Sequence, residues 1–299
     1  MKSPGNWKIL GKRSVPIRSS VYYGLRLFLH RKRWLLRAAQ GLRGCLILGP
    51  FRNLVICSYQ AFGQNAPIRT IADDLFSFVN VQSAVDRIKR SGYTDLGLLS
   101  THYVSRIEEY CEKTRRIRYW NPHKDCEFVD RIARNATIVE IARRYLGAEP
   151  ILWLTQLIWS LPTSGNRAQL GPSMHDEPVQ YDAHAFHYDA IDVRSLTLFV
   201  YLTDVGENSG AHVIIEGTHK SKTLKELLSV VLDDRVAQDR YGGQIKAIPG
   251  RKGTVFFEET SSFHKVSACK EPRLILSIDY AIGRKVPPER PTVEEHPGS

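Results

Sequence analysis

No carboxylate side chain occurs before Asp73, although the 299-residue chain carries 31 Asp and Glu against 42 Lys and Arg, a net charge of +11. Thirteen of the basic side chains fall in those first 72 residues, so the remainder holds 29 basic against 31 acidic, or −2. The excess is confined to one end, and a nearly neutral body is a poor match to nucleic acid as partner. Cysteine is scarce and unpatterned. The five residues at 45, 57, 111, 126 and 269 make no CxxC pair and no zinc-ribbon spacing, so free thiols in a reducing compartment are expected. Also missing is an apolar run of the roughly 18 to 20 residues that a membrane-spanning helix needs, because Arg, Lys or Pro breaks every stretch. No small-residue cleavage site follows a clean apolar stretch, so no secretory signal is expected. Neither an internal repeat nor a glycine-rich phosphate loop is found. What the chain does have is 42% apolar residues, enough to close the core of one large domain or two small ones.

The basic end, residues 1–72, mixes aromatic, aliphatic and cationic residues without a proline from Tyr22 to Ala39. At helical spacing Leu25, Phe28, Leu29, Leu35, Leu36 and Ala39 share one arc, and Arg26, His30, Arg33 and Arg37 another, with Lys32 interrupting the apolar side. Three readings fit: a helix lying on an anionic membrane surface, a mitochondrial presequence, or a helix packed on the body with its charges solvated. The expected location is cytoplasmic, peripheral on the inner membrane under the first reading, or mitochondrial in a eukaryote.

From Asp73 to residue 283 the text is that of a globular domain. Val85 and Ile88 head a helix that stops at Ser91-Gly92; Ser100 is placed to cap a second, and Asn135 a third ending at Gly147. After Pro150 come short β-rich runs at 151–161, 195–203, 211–215, 244–248, 253–257 and 273–280, separated by Gly, Pro, Asn and Asp turns, with one helical insert at 224–237. That pattern predicts a sandwich or double-sheet jelly roll. Residues 284–299, rich in Pro and charge, read as a mobile tail.

Two imidazoles and one carboxylate on one face of a metal, with the remaining positions open, suit non-haem Fe(II) and O2 chemistry. In sequence this is H-x-D/E plus a distant His, since residues i and i+2 of an extended segment project to the same side. Three tripeptides qualify. His123-Lys124-Asp125 lies between helical segments beside Pro122, and His175-Asp176-Glu177 lies in a polar stretch before Pro178; neither has a strand to aim it. His187-Tyr188-Asp189 stands just before the run at 195–203, with His264 as a distal partner 77 residues on. His184, His212 and His219 read as structural.

The stretch FHYDAIDVRSLTLFVYLTDVGENSGAHVIIEGTHK, followed by PGRKGTVFFEETSSFHKVSACKEPRLILSIDY, resembles the phytanoyl-CoA dioxygenase family of Fe(II)- and 2-oxoglutarate-dependent oxygenases. Four blocks match in order: the H-x-D, the strand leading to L-T-D-V and N-x-G, the E-G-T-H-K standing where the family has P-G-S-H-K, and the PG-to-FF strand before the distal His. Glu216 departs from the family's Pro, which concerns the local turn. The opening segment SGYTDLGLLS extends the likeness to about residues 75–282. The resemblance implies an α+β fold: a double-stranded β-helix (jelly roll, cupin-like) core with flanking helices and a basic N-terminal extension. It implies His187, Asp189 and His264 as iron ligands and Arg273 as the clamp for the far carboxylate of 2-oxoglutarate, with Gln156 and Ser277 as further cosubstrate contacts. Fe(II), 2-oxoglutarate and O2 would then hydroxylate an unactivated C–H. Relatives that halogenate have lost the carboxylate ligand, and Asp189 is present. The expected substrate is a small molecule or, if the basic end meets an anionic leaflet, a lipid-linked one such as an acyl chain or a lipopolysaccharide core sugar acid. The competing class is a non-catalytic jelly-roll binding protein using its basic arm on an anionic partner. Nothing in the sequence speaks to oligomeric state.

Overall fold

The computed structural model describes residues 41–160, 185–283 and 293–294, apart from short gaps at 46–47, 50–51, 63–64, 77–78 and 268. The expected helix at Tyr22 to Ala39 and the tripeptide His175-Asp176-Glu177 lie outside the described residues, as does His184.

Helices build one layer. α1 (Arg52–Phe62) is followed by α2 (Val81–Ser91), where the Asn80 side chain accepts from the Ser83 amide and Gly92, at φ 83°, ends the last turn. A left-handed residue closes such a turn at little cost only if it lacks a Cβ. α3 (Thr101–Thr114) begins after Ser100 as expected, but no side-chain bond caps it. α4 (Glu127–Ala133) was not foreseen; α5 (Ala136–Leu146) is capped by Asn135, which accepts from the amides of Thr137 and Ile138. The apolar faces of α2 and α5, with Val85, Ile88, Ile138, Val139 and Ile141, pack into one core with the sheet beneath.

That sheet has seven strands in the order β1 (Tyr93–Leu98), β9 (Thr254–Glu258), β5 (Ser195–Tyr201), β11 (Arg273–Ala281), β3 (Ile151–Ser160), β2 (Arg116–Trp120) and β12 (Val293–Glu294). A second sheet has five: β7 (Val231–Leu232), β4 (Phe186–His187), β10 (His264–Val266), β6 (His212–Ile215) and β8 (Ile245–Ile248). Every named ladder is antiparallel. The two sheets face each other around Tyr201, Ile214, Ile248, Phe256 and Ile275, the double-stranded β-helix that the sequence led us to expect. The single helical insert expected at 224–237 is instead two helices, α6 (Leu224–Ser229) and α7 (Asp234–Tyr241), with β7 between them. Asp233 explains the break, because its carboxylate accepts from the amides of Arg235 and Val236 and so starts a new helix.

The basic end is tied to this body at α1. Ile56 is buried in the helix-and-sheet core, and Arg52 donates from Nε to Val193 O at 2.6 Å while its Nη2 pairs with the buried Glu259 carboxylate. Glu259 directly follows the last residue of β9, so this contact reaches the loop leading to His264.

Candidate active site

Register places the first two candidate ligands. His187 of β4 and His264 of β10 are direct cross-strand partners, so their side chains leave the sheet on the same face, and their ring centroids are 4.4 Å apart. Asp189 follows two residues later; its amide donates to Thr260 O at 2.8 Å, and its Oδ2 lies 3.6 Å from His264 Nε2. One ligand atom from each of His187, Asp189 and His264 falls within 4.8 Å of the others. Each imidazole is oriented from behind: Nδ1 of His187 is 3.0 Å from Ala185 O, and Nδ1 of His264 is 3.0 Å from Ser262 O. With the proton on Nδ1 donated to the carbonyl, Nε2 is the lone-pair nitrogen in both rings, the tautomer a metal takes. Burial and the neighbouring His187 hold His264 down at about 4, which keeps it neutral near pH 7. The donor set of two imidazole nitrogens and one carboxylate therefore fits a divalent iron.

Across the gap, the larger sheet presents alternate residues of its strands in rows, because directly paired residues share a face. Asp279, Thr197 and Glu258 form one row; Gln156, Ser277, Phe199 and Phe256 the next; Arg273 and Ser160 lie at the far end. Gln156 and Ser277 thus stand side by side on the interior face, as their expected roles require. Arg273 is buried, and its guanidinium is aimed by Ser160 Oγ, 3.0 Å from Nη2, and by the Gly210 carbonyl, which accepts from Nη1. Its Nε is buried with no hydrogen-bond partner among the described residues. A buried cation left one donor short is a fitting receptor for a carboxylate. Burial pushes both interior carboxyls, Asp279 and Glu258, up to about 7, with Thr197 Oγ1 donating to Asp279 Oδ1 at 2.7 Å.

Other candidates fall elsewhere. His123 lies in a short 3-10 turn with Nδ1 2.8 Å from Thr155 Oγ1, and Thr155, adjacent to Gln156 on β3, points to the opposite face of the sheet. His219 is structural: Nε2 lies 3.3 Å from Lys89 O, and burial takes the ring down to about 3. Glu216, where the family has Pro, precedes Gly217 at φ 80°, and the turn still forms. His212, read from sequence as structural, instead sits inside the barrel, with its ring stacked on His264 at 5.4 Å and 12°. His212 shares strand parity with Ile214, which pairs directly with His264, so the two rings leave the sheet on one face; that register is not legible in the sequence.

Comparison with known proteins agrees with this geometry. The family described as phytanoyl-CoA dioxygenase (PhyH) matches residues 82–269, a span that holds all three ligand positions and stops four residues before Arg273. A Stutzerimonas stutzeri protein described as "Probable alpha-ketoglutarate-dependent hypophosphite dioxygenase" is 24% identical over 155 residues, 51% of this chain and 50% of that protein. The chain therefore spans about half the length of the curated relative it matches. Among solved structures, EctD from S. alaskensis in its apoform aligns with a TM-score of 0.51 at 17% identity, covering 79% of this chain and 91% of that one, a likeness of fold. With more than half of its length matched and the blocks in order, the chain belongs to the phytanoyl-CoA dioxygenase family of Fe(II)- and 2-oxoglutarate-dependent oxygenases.

Proposed function

We propose that the chain hydroxylates an unactivated C–H of a small-molecule or lipid-linked substrate, using Fe(II) held by His187, Asp189 and His264, and 2-oxoglutarate held by Arg273. The observation that carries this reading is the convergence of three ligand atoms within 4.8 Å across the β4 and β10 pair. When bound, iron together with the 2-oxo acid supplies the reducing power that activates O2. The chain's own part is to bind and orient. Ala185 and Ser262 carbonyls fix the imidazole tautomers, Ser160 and Gly210 aim the guanidinium, and Ser277 and Gln156 offer polar groups along the interior face between the clamp and the ligands. Phe199 and Phe256 share that row and make part of that wall apolar. Asp189 favours hydroxylation over halide transfer, because it fills the position that a halide would need.

The test is anaerobic loading of Fe(II), then O2-dependent conversion of 2-oxoglutarate to succinate. Absence of any iron-dependent turnover with a panel of acyl, amino-acid and glycosyl substrates and without substrate would favour the binding-protein alternative. The lipid-linked form of the proposal rests on the 13 basic and no acidic side chains of residues 1–72. At roughly 1 kcal/mol per basic residue near an anionic leaflet, a few engaged side chains would decide binding, screened by salt. Vesicle sedimentation of the full chain, beside a variant in which Arg26, Arg33 and Arg37 become Glu, tests it; equal binding to neutral and anionic vesicles would withdraw the lipid-linked substrate. No helix among the described residues is long and apolar enough to cross a membrane.

A further inference from the structure

One polar pair in the barrel interior has no task in the assignments above. His212 of β6 and Glu258 of β9 come from opposite sheets and meet across the gap, with Nε2 and Oε2 2.6 Å apart, and they are 3% and 0% exposed. The contact is close but lacks hydrogen-bond geometry: His212 Nε2 and both Glu258 oxygens have no hydrogen-bond partner among the described residues. Leaving buried polar atoms unpaired is costly, so a pair serving only to strut the two sheets would be expected to close properly. A fourth unpaired atom, Arg273 Nε, belongs to the same interior.

His212 is packed among aromatic neighbours. Its ring stacks on His264, has Phe199 at 4.9 Å and Phe256 at 5.8 Å, and its amide donates to Tyr201 Oη at 3.3 Å. Phe199 lies in the row of Ser277, between the Arg273 end and the row of Glu258 and Asp279 that faces the ligand triad. A dicarboxylate that spans from the triad to Arg273 must therefore run past the His212 ring.

We propose that His212 is a further contact for the 2-oxo acid, donating to it the Nε2–H that has no partner among the described residues, and that Glu258, 2.6 Å from that nitrogen, is a positioning residue that limits where the ring can lie; this rests on the assignment of the triad and Arg273 to iron and cosubstrate. A neutral imidazole carries a single N–H, and with the proton on Nε2 that donor is the atom left unpaired. The cosubstrate thereby gives Nε2 the acceptor it lacks.

The experiment uses the purified full chain without O2. Fe(II) is bound first, and 2-oxoglutarate is titrated while the visible metal-to-ligand charge-transfer absorption is followed. His212→Leu should weaken 2-oxoglutarate by about tenfold to a hundredfold, the loss of one hydrogen bond to a charged group. Fe(II) affinity, measured separately by titration without the oxo acid, should stay within about twofold of wild type. His212→Gln, which keeps a donor, should recover most of the loss, and Glu258→Gln should fall between. A lowered melting temperature with unchanged 2-oxoglutarate affinity in His212→Leu would make the pair a strut and overturn the proposal. If that variant does not fold, wild-type affinity in both His212→Gln and Glu258→Gln overturns it equally. The underlying reading fails differently: wild type would then show no charge-transfer band, or Arg273→Ala would bind 2-oxoglutarate as wild type does.

Discussion

Along β11 the inward residues Arg273, Ser277 and Asp279 alternate with the outward Leu274, Leu276, Ile278 and Tyr280, so a single strand serves two unlike surfaces. The outward face joins Leu196, Leu198, Val200 and Phe257 of the neighbouring strands and is covered by α2 and α5; Tyr280 on this face donates its hydroxyl to Ala133 O at 2.7 Å. The inward face carries buried Arg, Asp, Glu, Thr and Ser, several with unpaired atoms. The outward face supplies hydrophobic stabilisation that lets the inward face retain costly polar groups. A period-2 element can separate the two demands in ways a helix of the same length cannot.

If that division holds, damage to each face should have a different signature, and the largest effect comes from the ligands. His187→Ala, Asp189→Ala or His264→Ala should each abolish iron-dependent turnover while leaving the melting temperature of the metal-free protein close to wild type. His123→Ala should retain turnover, and an inactive His123→Ala beside an active His187→Ala would reverse the choice of tripeptide. Next in size is Arg273→Ala, which breaks a desolvated charge contact worth roughly 3 to 5 kcal/mol and should raise the 2-oxoglutarate requirement by two to three decades or more. Iron affinity should be unmoved, and unchanged cosubstrate affinity would remove Arg273 from its role.

The outward face answers in the opposite sense. Leu276 is fully buried between Leu157 and Val200, and Leu276→Ala should cost about 2 to 5 kcal/mol in denaturant unfolding while the remaining folded protein binds 2-oxoglutarate normally. A loss of cosubstrate affinity as large as that of Arg273→Ala would blur the two faces. The smallest effect is a slope. Burial raises the Asp279 carboxyl to about 7, so the folded state holds its proton more tightly than the unfolded chain, and the contribution of this group to stability must fall as pH rises from about 4 to about 7, against the opposite contribution of the buried His264 and His219. In the metal-free protein Asp279→Asn should flatten that fall, as read from urea midpoints across the range; an unaltered slope would mean that the inward carboxyl is not held protonated.

Legibility in the sequence followed the same division. Long strands with clear apolar content, at 151–160, 195–201 and 273–281, were readable almost to the residue, as was the helix between Asn135 and Gly147; of the helix that stops at Gly92 the end was read, while its start after Asn80 was missed. β4 and β10, which carry two of the ligands, are two and three residues long and too short for any periodicity to register. There the H-x-D spacing and the family resemblance carried the reading. β2, R-I-R-Y-W, escaped because its cationic residues look like a loop. Glu258 and Glu259 could not be told apart in the text, since two adjacent acidic residues at a strand end carry no pattern; one turns to the barrel interior and the other to Arg52.

The direct pairing of His187 with His264 has a meaning for how the chain is made. A strand slip of one residue would send His264 to the far side of its sheet, and the ladder that prevents it is only three residues long on β10. Neighbouring backbone bonds, Ile215 N to Phe263 O and Asp189 N to Thr260 O, both 2.8 Å, hold the alignment from either side. A chain assembled in the wrong alignment would lack the metal cradle altogether, and would not merely be a slower enzyme. Iron uptake would thus act as an inspection of correct assembly, and the fraction of a preparation that takes up one equivalent of metal would count its correctly folded molecules.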